Sequence, residues 1–332
     1  MSAAPAALIL TRRDIAALMR PADWLRAVED GFAAAADGHA QSPPPMAICG
    51  TGGTFHAKGA RIHLERDYVA LKLNANFPGN PERIGLPTIQ GAILLCDGTT
   101  GALLAVMDSI EVTLRRTAAA TALAARFLAR AQSHSVLICG CGEQGAAQLA
   151  ALREVLPLAR GSAWDRDQAK AAAFARNTTA EGFPIELATD LPKAAWKSDV
   201  IVTCTTARTP FLDTDTVRPG AFIAAVGADS PDKSEIAPAL MANALVVVDV
   251  VDQCVAMGDL HHAIAAGAMP LGDVHAELAE LVAGHRPGRT SDEQITLFDS
   301  TGTALQDVAA AALIYRRALE HGSGLAIVLG EV

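Results

Sequence analysis

From Ser135 onward, short apolar runs alternate with stretches of helical spacing. The runs lie at 135–140, 161–165, 184–188, 199–205, 221–227, 245–250 and 295–299. They are rich in aliphatic and small residues, as strands covered on both faces are. Strand alternating with helix predicts a parallel, doubly wound sheet with right-handed crossovers. The chain upstream reads differently. Across Thr11 to Ala40, Ile15, Leu18, Met19, Leu25, Val28 and Phe32 recur at helical intervals, and Ser42-Pro43-Pro44-Pro45 ends the pattern. Tyr68 to Leu73 alternates like a strand, and 92–97 and 102–107 flank Gly98-Thr99-Thr100-Gly101 as a hairpin would. Ser109 to Ala131 is a long alanine-rich helix, and Gly302 to His321 is a last helix long enough to cross back. The expected fold is α/β: a Rossmann doubly wound parallel sheet over 116–309, plus an α+β domain built from both chain ends, 1–115 and 310–332.

Composition narrows the function classes. At 332 residues the chain exceeds what one core usually serves, so two domains fit. The net charge of -9, with no basic run, argues against nucleic acid as a partner. Charge breaks every apolar stretch before it reaches membrane-spanning length. Arg12 and Arg13 follow the apolar N-terminus and do not precede it, which disfavours a signal peptide. None of the six cysteines forms C-x-x-C, and several sit in apolar runs, as Cys204 does. They read as small buried hydrophobes in a reducing compartment, so the cytoplasm is expected.

The first apolar run ends in Gly140-Cys141-Gly142-Glu143-Gln144-Gly145, a G-x-G-x-x-G that opens a helix. Gly140 allows a tight turn, Gly142 lets backbone approach a pyrophosphate, and Gly145 lets helix pack on strand. The helix start at Glu143 and Gln144 offers N–H groups to phosphate. Asp165 closes the next run about 20 residues on, where such folds hold a ribose hydroxyl. It favours NAD, while Arg166 directly after it leaves NADP possible. Thr205, Val226 and Gly227, at the ends of two later runs, complete the expected cofactor set.

Three further residues carry candidate chemistry. Lys72 interrupts Val69-Ala70-Leu71-Lys72-Leu73; it is either a solvated strand lysine or a desolvated one able to trade protons. Asp229 follows the run ending at Gly227; it either caps the turn before Pro231 or faces the ligand edge of the sheet. Arg115 and Arg116 form either a surface pair or a clamp for a carboxylate. The nine histidines make no H-x-x-x-H or H-E-x-x-H, so no metal is expected. No G-x-S-x-G elbow and no G-x-x-x-x-G-K-[ST] loop occurs.

Several segments together resemble the ornithine cyclodeaminase and mu-crystallin family. They are Leu71 to Asn80, Gly85 to Gly91, Leu114 to Ala120, the glycine loop with Gln144, Val226 to Pro231, and Phe298 to Ala304. The resemblance implies a homodimer and a nicotinamide cofactor on a Rossmann domain. It also implies a substrate and dimerisation domain at the chain ends, with Lys72 and Asp229 catalytic and Arg116 binding the substrate carboxylate. The expected activity is hydride transfer at the C=N or CH–NH group of a small α-imino or α-amino acid. An ornithine-type cyclodeaminase that recycles NAD and a non-catalytic binding protein are the alternatives. Two departures stand out. Pro45 and Met46 occupy the place of a second carboxylate-binding arginine, and Phe55 to Arg61 replaces a Met-Pro-Ala segment. Lys58 or Arg61 is expected to take over the anion contact, and ornithine cyclisation in particular is not supported.

Overall fold

The computed structural model describes residues 6–330. Packing divides the chain into two compact units: residues up to Arg116 with those from Thr303 onward, and Thr117–Gly302. The return of the chain to the first unit therefore begins at Thr303, ahead of the 310 read from the sequence. The whole last helix belongs with the first unit because its buried side packs on that unit's strands and on the helix Pro21–Ala36. Gly31 permits the close helix contact: a Cβ there would stand 3.0 Å from that of Ala309.

The first unit is an eight-stranded sheet. Its order is Leu325–Ile327, Ala7–Leu10, Leu103–Asp108, Ile89–Asp97, Asp67–Asn76, Gly53–His63 and Ala40–Gln41, with Met46–Gly50 also paired to Gly53–His63. All pairs are antiparallel except Ala7–Leu10 with Leu103–Asp108. The hairpin around Gly98 to Gly101 forms with a bulge at Leu95 and Cys96. The single helix expected over Thr11 to Ala40 is two helices, Arg12–Leu18 and Pro21–Ala36. Pro21 cannot donate into a continuing helix, and it starts a second one at the position where its fixed φ suits. Thr11 caps the first, accepting from the Asp14 N–H.

The second unit is an eight-stranded, all-parallel sheet: Ile185–Leu187, Arg160–Trp164, Ser135–Cys139, Val200–Thr203, Phe222–Ala225, Thr296–Asp299, Leu245–Val248 and Ala276–Glu277. Seven of these were legible as apolar runs. The eighth, Ala276–Glu277, is two residues long and carries no periodic signal. Leu137, Ile201, Ile223, Val246 and Leu297, from five neighbouring strands, share one buried core. Full burial of each is worth roughly 1.5–3 kcal/mol against solvent. The sheet's carboxyl edge, where ligands of such folds bind, is formed by the loops after Cys139, Trp164, Thr203 and Ala225.

Candidate active site and cofactor loop

In the first unit, Lys58 stands directly opposite Lys72 across the antiparallel pair, and Lys72 opposite Ile93. Strand alternation puts them on the face of Ala60, Ile62, Tyr68 and Ala70, all buried beneath the last helix. The small Ala60 and Ala70 leave room beside the two lysines. Lys72 is 5% exposed. Its Nζ lies 2.6 Å from Asp307 Oδ2 and donates to Thr113 Oγ1 at 3.5 Å.

Arg116 comes from the helix Ser109–Leu128, one turn beyond Thr113 and so on the same helical face. It is 3% exposed. Its Nε donates to Asp307 Oδ1 at 2.9 Å and its Nη1 to Gln306 Oε1 at 2.6 Å. Arg115, about 100° round the helix, instead pairs with Glu111 at the surface. Of the pair, Arg115 is thus partly exposed and Arg116 buried.

The cluster's electrostatics follow from its burial. Desolvation pulls the Lys72 ammonium down to about 7, aided by Arg116 and Lys58 and opposed by Asp307. Burial pushes the Asp307 carboxyl up, but Arg116 and then Lys72 outweigh it and hold the group below its ordinary value. Asp307 therefore stays ionised, and Lys72 titrates near neutrality.

In the second unit, the strand Ser135–Cys139 runs into Gly140 at φ +105°, a left-handed conformation that favours glycine. A Cβ on Gly145 would meet the Gly140 carbonyl oxygen at 2.2 Å, so helix and strand pack as closely as the motif requires. Gly142 faces open space. It precedes the helix Glu143–Arg153 without any side-chain cap, leaving the first-turn N–H groups of Glu143, Gln144 and Gly145 for a ligand. Gln144 Nε2 is buried without a partner. Asp165 accepts from the N–H of Cys141 at 2.9 Å and of Asp167 at 2.9 Å, which fixes its carboxylate beside the glycine loop. Arg166 is exposed. An uncapped helix start, an open glycine and a fixed acid fit a dinucleotide.

The family's sequence profile matches residues 6–322. The chain belongs to the ornithine cyclodeaminase/mu-crystallin family. It is 38% identical to an alanine dehydrogenase of Archaeoglobus fulgidus over 317 residues, 96% of this chain and 97% of that one. An archaeal alanine dehydrogenase dimer with bound NAD superposes with a TM-score of 0.93 at 37% identity, covering 98% of this chain and 100% of that one. The Δ1-pyrroline-2-carboxylate reductase of Thermococcus litoralis, solved with NADH and L-proline, gives 0.91 at 32% identity, covering 96% and 100%. The α/β fold with a Rossmann sheet, expected from the sequence, is that of these relatives.

Within this family member, some expected contacts take a different form. Arg61 is odd in register where Lys58 and Lys72 are even, so it points to the other face of the sheet. There it pairs with Asp67 at 2.7 Å, so of the two candidates Lys58 is the one on the Lys72 face. Thr205 and Gly227 do lie at the carboxyl edge, but both backbone N–H groups are taken by buried Glu235, at 2.6 and 2.9 Å. Val226 N–H is also internal, donating to the Thr203 carbonyl. Asp229 stands on the loop beyond, 57% exposed, and accepts from Lys233.

Two residues with clear chemistry escaped the sequence reading. Asp307 is one; its signal is a charge that, with Gln306, interrupts an apolar buried run, much as Lys72 interrupts its strand. Glu235 is the other. Burial, then the Asp259 charge, raise its carboxyl to about 7. Among the described residues no group of three or more histidine, cysteine or acidic side chains is arranged to hold a metal ion. No helix of the described residues is long and apolar enough to cross a membrane.

Proposed function

We propose that this chain is an NAD(P)-dependent oxidoreductase that transfers a hydride to or from the α-carbon of a small α-imino or α-amino acid. One observation carries the reading: Lys72 and Arg116, both buried, share the single carboxylate of Asp307 on a face that also holds Lys58. Two buried cations share one carboxylate, so the pair attracts an anionic ligand. Arg116 has two donors committed to Asp307 and Gln306 and keeps Nη2 for a substrate carboxylate. Lys58 adds a second positive charge for that group.

Bound nicotinamide supplies or accepts the hydride. In the reductive direction the α-carbon gains a C–H bond, the C=N π pair moves to nitrogen, and nitrogen takes a proton. Arg116 fixes the carboxylate and with it the α-carbon. Lys72, half protonated near pH 7, stabilises developing charge and passes the proton. Asp229 is assigned the proton exchange with the substrate nitrogen. NAD is preferred, because the fixed Asp165 carboxylate suits a ribose hydroxyl and repels a phosphate. A lower Michaelis constant for NADPH than for NADH would overturn that preference.

The protein works as a homodimer in this reading. Leu71, Leu73 and Leu94, with Met46 and Ile48, are each at least 42% exposed on the sheet face opposite Lys72. A continuous apolar face of this kind calls for cover, and a second copy offers the same face in return. Light scattering on a Leu71→Glu/Leu94→Glu variant is expected to give a monomer where the unaltered chain gives a dimer. The activity itself is tested by NADH oxidation with pyruvate or glyoxylate, with and without ammonia or methylamine. Oxidation that requires the amine supports imine reduction; equal rates without amine point to alcohol chemistry and end the proposal.

A further inference from the structure

We infer that Asp307 is the positioning residue of the substrate site: one carboxylate that aligns Arg116 and serves as the counter-ion of Lys72. The inference rests on the reading above, in which those two cations meet the substrate. Its basis is geometric. Oδ1 accepts from Arg116 Nε at 2.9 Å, and Oδ2 lies 2.6 Å from Lys72 Nζ. The two cations would otherwise repel each other in a place with little water.

The local sequence is built around this carboxylate. Residues 304–314 of the last helix are all buried, and within that run only Gln306 and Asp307 carry polar side chains. Both grip the same guanidinium, from Nη1 and from Nε, so its plane is fixed on two sides. Asp307 also sits near the N-terminus of an 18-residue helix, where the helix dipole favours a negative charge. A carboxylate so held can stay ionised without water. A lysine beside it then holds its proton up to about pH 7, although burial, and then Arg116 and Lys58, press it to let go.

The role makes a prediction that a purely structural acid would not. In Asp307→Asn, Lys72 keeps its neighbours Arg116 and Lys58 and loses its counter-ion, so its titration midpoint moves down. The shift is expected to be about 1–3 pH units. It is read without any substrate, from the pH dependence of trace acetylation of Lys72 by acetic anhydride, followed by mass spectrometry. Asp307→Glu keeps the charge and displaces it by one methylene. Its midpoint is expected to stay within about half a unit of the unaltered protein, while kcat for pyruvate and ammonia with NADH falls about tenfold through the disturbed alignment.

A folded Asp307→Asn protein with an unmoved midpoint overturns the counter-ion role. An Asp307→Glu protein with unchanged kcat overturns the alignment role, and this arm decides the matter if Asp307→Asn does not fold. The wider functional reading is judged separately through Lys72→Ala. If that variant keeps its turnover, the reading of Lys72 fails whatever the midpoint does. If it is inactive while Asp307→Asn titrates as before, only the inference about Asp307 falls.

Discussion

The first unit buries two cations around one carboxylate; the second, apart from Asp199 with its partners Arg130 and Arg218, buries a group of four carboxylates that no described lysine or arginine pairs with. Asp249, Asp259, Asp299 and Glu235 are nearly inaccessible and are held by backbone N–H and hydroxyl donors. The consequences diverge. Asp307, facing cations, stays ionised below its ordinary value. Glu235, facing dipoles and another acid, is pushed up to about 7, and Asp299 well above its usual range by burial and then by Asp259. A buried charge paired with its opposite remains available for chemistry. A buried acid held by dipoles alone tends to take a proton and becomes a latch between loops.

The sharpest way to break the contrast is to remove the titrating cation. Lys72→Ala is expected to lower turnover about 10³-fold, within the range for a lost general acid–base. The NADH dissociation constant, read by fluorescence titration, is expected to change by less than about twofold, since the cofactor loop belongs to the second unit. Substantial residual turnover would remove Lys72 from the chemistry.

The next effect is on stability, and the two units lean opposite ways with pH. The folded pKa of Glu235 lies above its unfolded value of about 4.5. Its stabilising contribution is fully present below pH 4.5 and is lost as pH rises through about 7. For a fully buried group this is on the order of 3 kcal/mol. Lys72 has a folded pKa below its unfolded value of 10.5, so its contribution is present above that pH and is lost as pH falls through about 7. Urea denaturation at pH 5 and pH 8 is expected to show a smaller loss toward high pH in Glu235→Gln than in the unaltered chain. An equal loss would assign the slope to the other buried acids.

A smaller and more local effect belongs to Lys58. If it holds the substrate carboxylate, Lys58→Ala raises KM for that substrate about tenfold with kcat nearly unchanged, the mark of an interaction made equally in ground and transition states. A fall in kcat at constant KM would move Lys58 from binding to the chemical step.

What could be read from the sequence, and what could not, follows the range of each signal. Seven strands of the second unit, the glycine loop and Asp165 were legible because their signals are local: a run, a spacing, a turn. Lys72 was legible because a charge in an apolar strand is conspicuous. Its partner was not, because Asp307 meets Arg116 across 191 positions and no periodicity encodes that. Glu235, in the loop after Pro231, carries no local signal of its own. Only the fold shows that it closes the N–H groups of Thr205 and Gly227. The split at Pro21 was legible in principle, but apolar spacing on both sides of it masked the break.

The smallest expected effect belongs to Arg61. Lys58 and Arg61 are three positions apart, and from sequence alone they were interchangeable candidates for the missing anion contact. On a helix, residues three apart share a face; on a strand, an odd separation puts them on opposite faces. The segment is the strand Gly53–His63, so at most one of the two can face Lys72, and the register assigns that place to Lys58. Arg61 is a partly exposed surface pair with Asp67, worth no more than about 1 kcal/mol. Arg61→Ala is therefore expected to leave kcat and KM within about twofold of the unaltered enzyme, against the tenfold rise in KM for Lys58→Ala. A reversal of that order, with Arg61→Ala the more damaging, would place the substrate carboxylate on the opposite face of the sheet.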